Sequence, residues 1–396
     1  MKNRAGLRLI LACAGFALAG CAGGEEEHAP GDPAEAEFEL IYSVGADEQD
    51  PEDVRLGLVV DVALTPKGGL LVADAHSFSV HRFGPDGDDL EDLGGEGEGP
   101  GEFRSLGGVI VTDGGHIVAW DPTLGRMTVF DDSGELEDSW RVPERRVVAE
   151  RVLFPMEEDG VLLRIFQPET PRDMRPRYEF VHFGIDGTVR DTLEMPRERA
   201  SVPLVGADDG ANDVPPFWPT PEWTVLKSGV LAWSHREEYR ISLLNDDGSE
   251  RTGIRRDTDP VPVRPGEAEA WIEAFTDVVQ RQDPGWHWDG AEIPDEKPAI
   301  RDLAPTDDGN LLVRPHRVAK EVDGPDGSLN WSEPDIRHIY DEAGQVLGAI
   351  RAPEGHSIRR VRGDRLVTTS ENPVGATQVN VFRYEWEGSD PSSESP

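Results

Sequence analysis

The chain has 396 residues, 78 of them acidic and 39 basic, with a formal net charge of −39 and 37% hydrophobic residues. That length exceeds one ordinary core and calls for several domains or a modular, closed architecture. Nucleic acid is excluded as a partner, because phosphate is held by Lys and Arg, which acidic residues outnumber two to one here. With 43 Gly and 32 Pro, the chain has many turns and little room for long helices.

In chain order, residues 1–20 combine a basic start (Lys2, Arg4, Arg8) with an apolar run over 9–19, too short to span a bilayer. This is the pattern of a secretory signal. It ends Leu18-Ala19-Gly20-Cys21, which resembles the bacterial lipobox, with Cys21 as the residue that receives the lipid. Cleavage there removes Cys13 and leaves Cys21 as the one cysteine, so no intrachain disulfide can form. Two or more acyl chains give stable anchoring to the lipid bilayer. Residues 21–37 are rich in Gly, Glu, Ala and Pro and read as a flexible acidic tether. No later segment approaches a transmembrane run.

From residue 38 one pattern repeats six times: an apolar strand, a turn on Gly or Asp, and a second apolar strand. The six occurrences lie at 64–72, 111–118, 156–163, 225–232, 303–313 and 361–367, with anchor glycines Gly69, Gly115, Gly160, Gly229, Gly309 and Gly363. A second hairpin follows the first five, turning at Gly87, Gly134, Gly187, Gly248 and Gly344. Two hairpins make a four-stranded antiparallel sheet of propeller-blade size. The sixth repeat has a third strand at 379–386 but no fourth, and residues 38–44 match the missing one. The expected fold is therefore all-β: a six-bladed β-propeller over 38–386, closed by its N-terminal strand, with a disordered tail at 387–396.

Spacing of the anchor glycines places extra material around blades three to five. Within it, residues 266–281 predict an amphipathic helix with Trp271, Phe275, Val278 and Val279 on one face. Joining one blade's fourth strand to the next blade's first, this helix is expected over the ligand-bearing face. The acidic loop 208–213 and the Pro/Trp segment 215–223 would flank it.

No nucleophile–base, zinc-protease or Walker motif occurs, so no catalytic residue is assigned. The run 94–101 is glycine-rich, but Glu96, Glu98 and Glu102 would repel an anion and Pro100 lacks an N–H, so it reads as a linker. The Asp-rich turns fit no calcium loop and read as turn chemistry. Loops after the second strands gather at one end of a propeller's channel. They carry Asp74, His76, Trp120, Asp121, Arg164, His235, Arg236, Arg314, His316, Glu371 and Asn372. Of these, Asp74, His76, Trp120, Asp121, His235, Arg236, His316, Glu371 and Asn372 are the candidate ligand-binding residues.

The segment 94–103, ending Gly-Pro-Gly-Glu-Phe, and the Asp that closes the second strand at Asp74 and Asp121, resemble the bacterial six-bladed propeller family related to NHL-repeat proteins. The likeness covers about residues 38–386, and it implies fold much more than function. The leading expectation is a lipid-anchored, exported module that binds a small molecule, peptide or envelope protein. One alternative is a gluconolactonase-like hydrolase or lyase, with a divalent metal held by Glu371, Asn372, Asp121 and His76. A second is a structural subunit of an envelope assembly, using the helix around Trp271 as its contact. Sequence alone specifies no cofactor.

Overall fold

The structure, a computed structural model, describes residues 32–45, 56–88, 90–142, 146–147, 153–167, 177–194, 205–206, 212–213, 215–235, 237–245, 248–281, 283–288, 292–323, 329–372 and 375–386. The signal segment, Cys21 and the 387–396 tail lie outside these residues.

Six antiparallel sheets form a ring, and in the first five the strands follow chain order from the axis outward. Blade one runs Val59–Leu64, Leu70–Asp74, Ser79–Phe83 and Glu91–Gly94. Blade two runs Gly108–Val111, Ile117–Asp121, Arg126–Phe130 and Leu136–Arg141. Blade three has Leu153–Met156, Gly160–Gln167, Arg177–Gly184 and Val189–Glu194, with Arg146–Val147 also pairing on its second strand. Blade four is Trp223–Val225, Leu231–Ser234, Arg240–Leu244 and Glu250–Arg255. Blade five is Ile300–Pro305, Leu311–Pro315, Ile336–Tyr340 and Val346–Arg351. The sixth takes Ser357–Arg362, Arg365–Glu371 and Thr377–Trp386 from one end of the chain and Ala36–Val44 from the other.

The residue pattern follows from this radial order. Second strands have both faces covered by neighbouring blades, so Leu70–Asp74 and Ile117–Asp121 are buried throughout. Outermost strands meet water, and Leu136–Arg141 is largely exposed. Apolar clusters fill each inter-blade space, as where Ile110, Val118 and Met127 meet Leu163, Val181 and Phe183.

Closure occurs as the sequence predicts. Phe38 lies opposite Tyr384 and Leu40 opposite Phe382, with a bulge at Ile41. Phe38 also meets the Phe382 ring edge-on at 6.3 Å. This pairing removes the free edge that an unfinished sixth blade would expose. Contacts begin upstream of Phe38: Ala349 N–H donates to the Ala34 carbonyl, Arg351 grips Glu35 at 2.8 Å, and Arg317 reaches Asp32 at 2.8 Å. Asp32 lies 3.4 Å from His338, whose other ring nitrogen meets the Tyr239 hydroxyl at 2.7 Å, and Tyr340 adds a 3.0 Å contact to that hydroxyl. Burial opposes the Asp32 charge, but His338 and Arg317 outweigh it and hold the carboxyl at about 2.

Turn chemistry agrees with expectation in four blades, where Gly115, Gly229, Gly309 and Gly363 adopt positive φ. In blade one the role passes to Gly68, and in blade three Glu158 and Asp159 both adopt it, at 56° and 55°. Consecutive positive φ values make the two-residue turn that matches strand twist. Gly160 is held to glycine for another reason: a Cβ there would lie 2.0 Å from His182 Nε2. The linker 94–103 folds back on itself, with Phe103 N–H donating to the Gly95 carbonyl and the Phe103 ring fully buried.

The helix spans Pro265–Gln280, and Phe275 and Val279 pack with Trp271, Trp286 and Trp288. Glu267, in the first turn of the helix, is buried and bonded to Lys297 at 2.5 Å. Gly266 lies against Trp331, in the hairpin Lys320–Asp323/Leu329–Ser332 that interrupts blade five. Of the acidic loop, Asn212–Asp213 pairs with Val205–Gly206, while Asp208 and Asp209 lie outside the described residues. Among the described residues no helix is long and apolar enough to cross a membrane.

Candidate functional site

We call the end of the ring that holds the loops between second and third strands the upper face. Asp74 and Asp121 close second strands there, but their carboxylates are turned onto backbone. Asp74 accepts N–H groups from Gly57, Leu58 and His76 at 2.7–2.8 Å. Burial works against its charge, yet these donors hold its pKa below the ordinary range. Asp121 accepts from Arg104 at 2.7 Å, Leu124 at 2.8 Å and the Ser105 hydroxyl at 3.1 Å. Both therefore brace the chain entering their blade. Ser234 does the same in blade four, its hydroxyl accepting the Glu222 N–H at 2.7 Å. Sequence reading missed this residue because the acid has become a hydroxyl.

The other named residues are dispersed. Trp120 is core, packed between blades two and three. His76 is exposed beside Gly57. His235 is half-buried 3.2 Å from the Ser242 hydroxyl, and burial followed by Arg240 lowers its pKa. Arg236 lies outside the described residues. Glu371 is exposed with its pKa raised by partial burial, and Asn372 closes a turn by accepting the Ala376 N–H at 2.8 Å. Arg164 lies 5.4 Å from the Trp223 ring centre. Among the described residues no group of three His, Cys, Asp or Glu side chains is placed to hold a metal ion.

Lower in the ring the axis is filled by the protein's own charges. Arg360, on the inner strand of blade six, donates to the Val62 carbonyl at 2.8 Å and to both oxygens of Asp61 at 2.9 and 3.1 Å. It also approaches the Val109 carbonyl of blade two and Asp307 of blade five. Lys227 of blade four bonds Asp113 of blade two, skipping blade three, and Arg362 of blade six lies 3.7 Å from the same carboxylate. Pairs between non-adjacent blades must cross the channel. Three cations face three carboxylates in this plug, and Asp61 and Asp307 raise the pKa of Arg360 against the effect of burial.

Above the plug, between blades five and six, the balance changes. Inner strands of blades one, five and six share a bulge, after Val59, Ile300 and Ile358. A bulge re-aims side chains, and here it presents the doublets Val60-Asp61, Arg301-Asp302 and Arg359-Arg360. Arg337 is fully paired, at 3.0 Å from both Asp302 and Asp335. Arg314 Nε is buried and lies 3.3 Å from Asp335 but forms no hydrogen bond. Arg301 reaches Glu333 at 3.7 Å, a carboxylate already shared with Lys297 at 2.8 Å and His316 at 3.0 Å. Arg359 donates to the Val60 carbonyl at 2.9 Å.

Phe217, in the segment 215–223, and Glu267, in the helix, both meet Lys297 beside this region. Phe217 takes a positive φ of 57°, setting its ring 5.1 Å from Lys297 Nζ and edge-on to His316. A non-glycine residue held in that region is a local cost that tends to occur at functional sites. Arg314 and His316 are thus the expected residues the structure brings to one place. Arg301, Arg359, Lys297, Glu333 and Phe217 join them, and no motif marked these, because inner-strand bulges leave no signature in sequence. On the opposite face a recess of about 370 Å³ opens between blades three and four, lined in part by Glu158, His182, Asp191 and Lys227.

No family model matches the chain, and no curated protein matches it either. Among solved structures, a member of the DUF4221 family from Bacteroides vulgatus is 12% identical, with TM-score 0.52, covering 90% of this chain and 100% of that one. A predicted exported protein of Bacteroides fragilis is 12% identical with TM-score 0.46, covering 91% and 97%. A gluconolactonase from Xanthomonas campestris is 13% identical with TM-score 0.40, covering 91% and 99%. At these identities the likeness is one of fold alone, and it agrees with the ring described above: the chain is a six-bladed β-propeller.

Proposed function

We propose that this chain is an exported, lipid-anchored propeller, related to NHL-repeat proteins, that binds a ligand at the upper mouth between blades five and six. One observation carries the reading: half-buried Arg301, Arg314 and Arg359 lie at the upper end of blades five and six, beside Phe217 and His316. Polar groups converging in a concavity with an aromatic wall are the usual make-up of a binding site. The anchor rests on Leu18-Ala19-Gly20-Cys21 and its basic, apolar leader. Ten residues lie between Cys21 and the pinned Asp32, so the propeller stays within about 40 Å of the acylated residue.

Hydrogen exchange of the full chain, with and without size-fractionated cell-envelope extract, tests the binding. Protection of amides at 300–302, 314–317 and 357–360 is expected, and protection confined to other blades would overturn it. For the anchor, Cys21→Ala should move the protein from the membrane fraction to the soluble one.

A further inference from the structure

Resting on the reading that this mouth binds a ligand, we propose that the group it takes is a multivalent oxyanion, a carboxylate or phosphate clasped by Arg301, Arg314 and Arg359. The inference comes from counting partners. Three guanidinium groups (Arg301, Arg314 and Arg337) share Asp302 and Asp335 with part of Glu333. Arg337 takes the best geometry on both aspartates. Glu333 is further divided among Lys297, His316 and the Arg317 N–H. The carboxylate acting on Arg359 is Asp61, which Arg360 already holds with two hydrogen bonds.

What remains is positive charge packed against positive charge, in a region partly withdrawn from water. Burial, with Arg301 and Arg337 adding to it against Asp335 and Asp302, lowers the pKa of Arg314. Burial, with Arg360 and Arg337, likewise lowers that of Arg359. Arg337 and Arg360, more deeply buried but well paired, are shifted upward. The distinction therefore follows counter-charge rather than depth.

Accessibility follows the same division. Arg337 and Arg360 have side chains 4% and 9% exposed, whereas Arg314 is 17% and Arg301 is 33% exposed. The under-paired groups are the reachable ones. A guanidinium presents a planar fork of donors matched to two oxygens of a carboxylate or phosphate. In a chain of net charge −39, a cationic recess also draws anions away from the repelling surface around it.

Calorimetric titration of the full chain at fixed ionic strength tests this, with citrate and inorganic phosphate as probes and glucose as the neutral comparison. Saturable binding of at least one anion is expected, with no heat from glucose. Affinity should fall tenfold or more in Arg359→Gln and in the half-exposed Arg301→Gln. It should not change in Arg383→Gln, which alters a distant pair with Glu39 and Asp364. Absence of saturable binding, or equal binding by all variants, would overturn the assignment. If anions fail to bind while envelope extract still protects the mouth, the ligand class is wrong and the site stands. If neither occurs, both readings fall.

Discussion

The lower axis and the upper mouth are built from the same residue type on adjacent positions of one strand, and they solve opposite problems. At Arg360 the donors meet Asp61, Asp307 and two carbonyls, tying blades one, two, five and six together. One residue earlier, Arg359 meets a carbonyl and other guanidinium groups. A bulge in the inner strand separates the two by turning successive side chains into different surroundings. A buried ion pair contributes cohesion when both charges are matched, whereas an unmatched buried charge is a cost that a ligand can relieve. The lower axis is thus a fastening, and the upper mouth leaves guanidinium groups short of counter-charge.

The predictions probe that contrast, beginning with the fastenings. Deleting residues 36–44 removes the outer strand of blade six, with buried Tyr42 and Val44. The whole stability of a domain is about 5–15 kcal/mol, so loss of cooperative thermal unfolding is expected; a sharp retained transition would show that closure is dispensable. Arg360→Met strands Asp61 and Asp307 and should cost about 3–5 kcal/mol in denaturant unfolding. Asp121→Ala leaves the part-buried Arg104 and Leu124 N–H groups without acceptors, for a loss of about 1–2 kcal/mol by the same measurement.

Asp32→Asn provides a pH signature. The folded carboxyl is lowered from 3.8 to about 2, so its contribution is complete above pH 4 and disappears as pH falls through 2. The variant should be less stable by at most about 2 kcal/mol at neutral pH, with the gap closing on acidification. A gap that widened toward low pH would contradict the pairing with His338 and Arg317.

Six turn glycines, a missing fourth strand and a matching N-terminal segment were enough to read the ring, because hairpin chemistry and alternation are local. The helix was legible for the same reason, since Phe275 and Val279 recur on one face. Function was less visible. Asp74 and Asp121 stand where a ligand site would draw acids, yet their role is to hold backbone N–H groups of the incoming chain. Trp120, flanked by polar loop residues in sequence, is taken into the core by the neighbouring blade. The arginines of the mouth depend on two bulges and on carboxylates distant in sequence, as in the Arg301–Glu333 pair. Partner counting of that kind is possible only once the chain is folded.

The most direct measurement compares Arg359→Met with Arg360→Met in denaturant unfolding of the full chain, without added oxyanion and then with citrate and phosphate. The account predicts that Arg360→Met is costly in every buffer. It predicts that Arg359→Met changes stability by less than about 1 kcal/mol without oxyanion, since a poorly paired charge contributes little cohesion. That variant should also abolish the stabilisation that oxyanion confers on the unaltered chain. Equal, large losses for both variants, with no oxyanion effect on either, would contradict it.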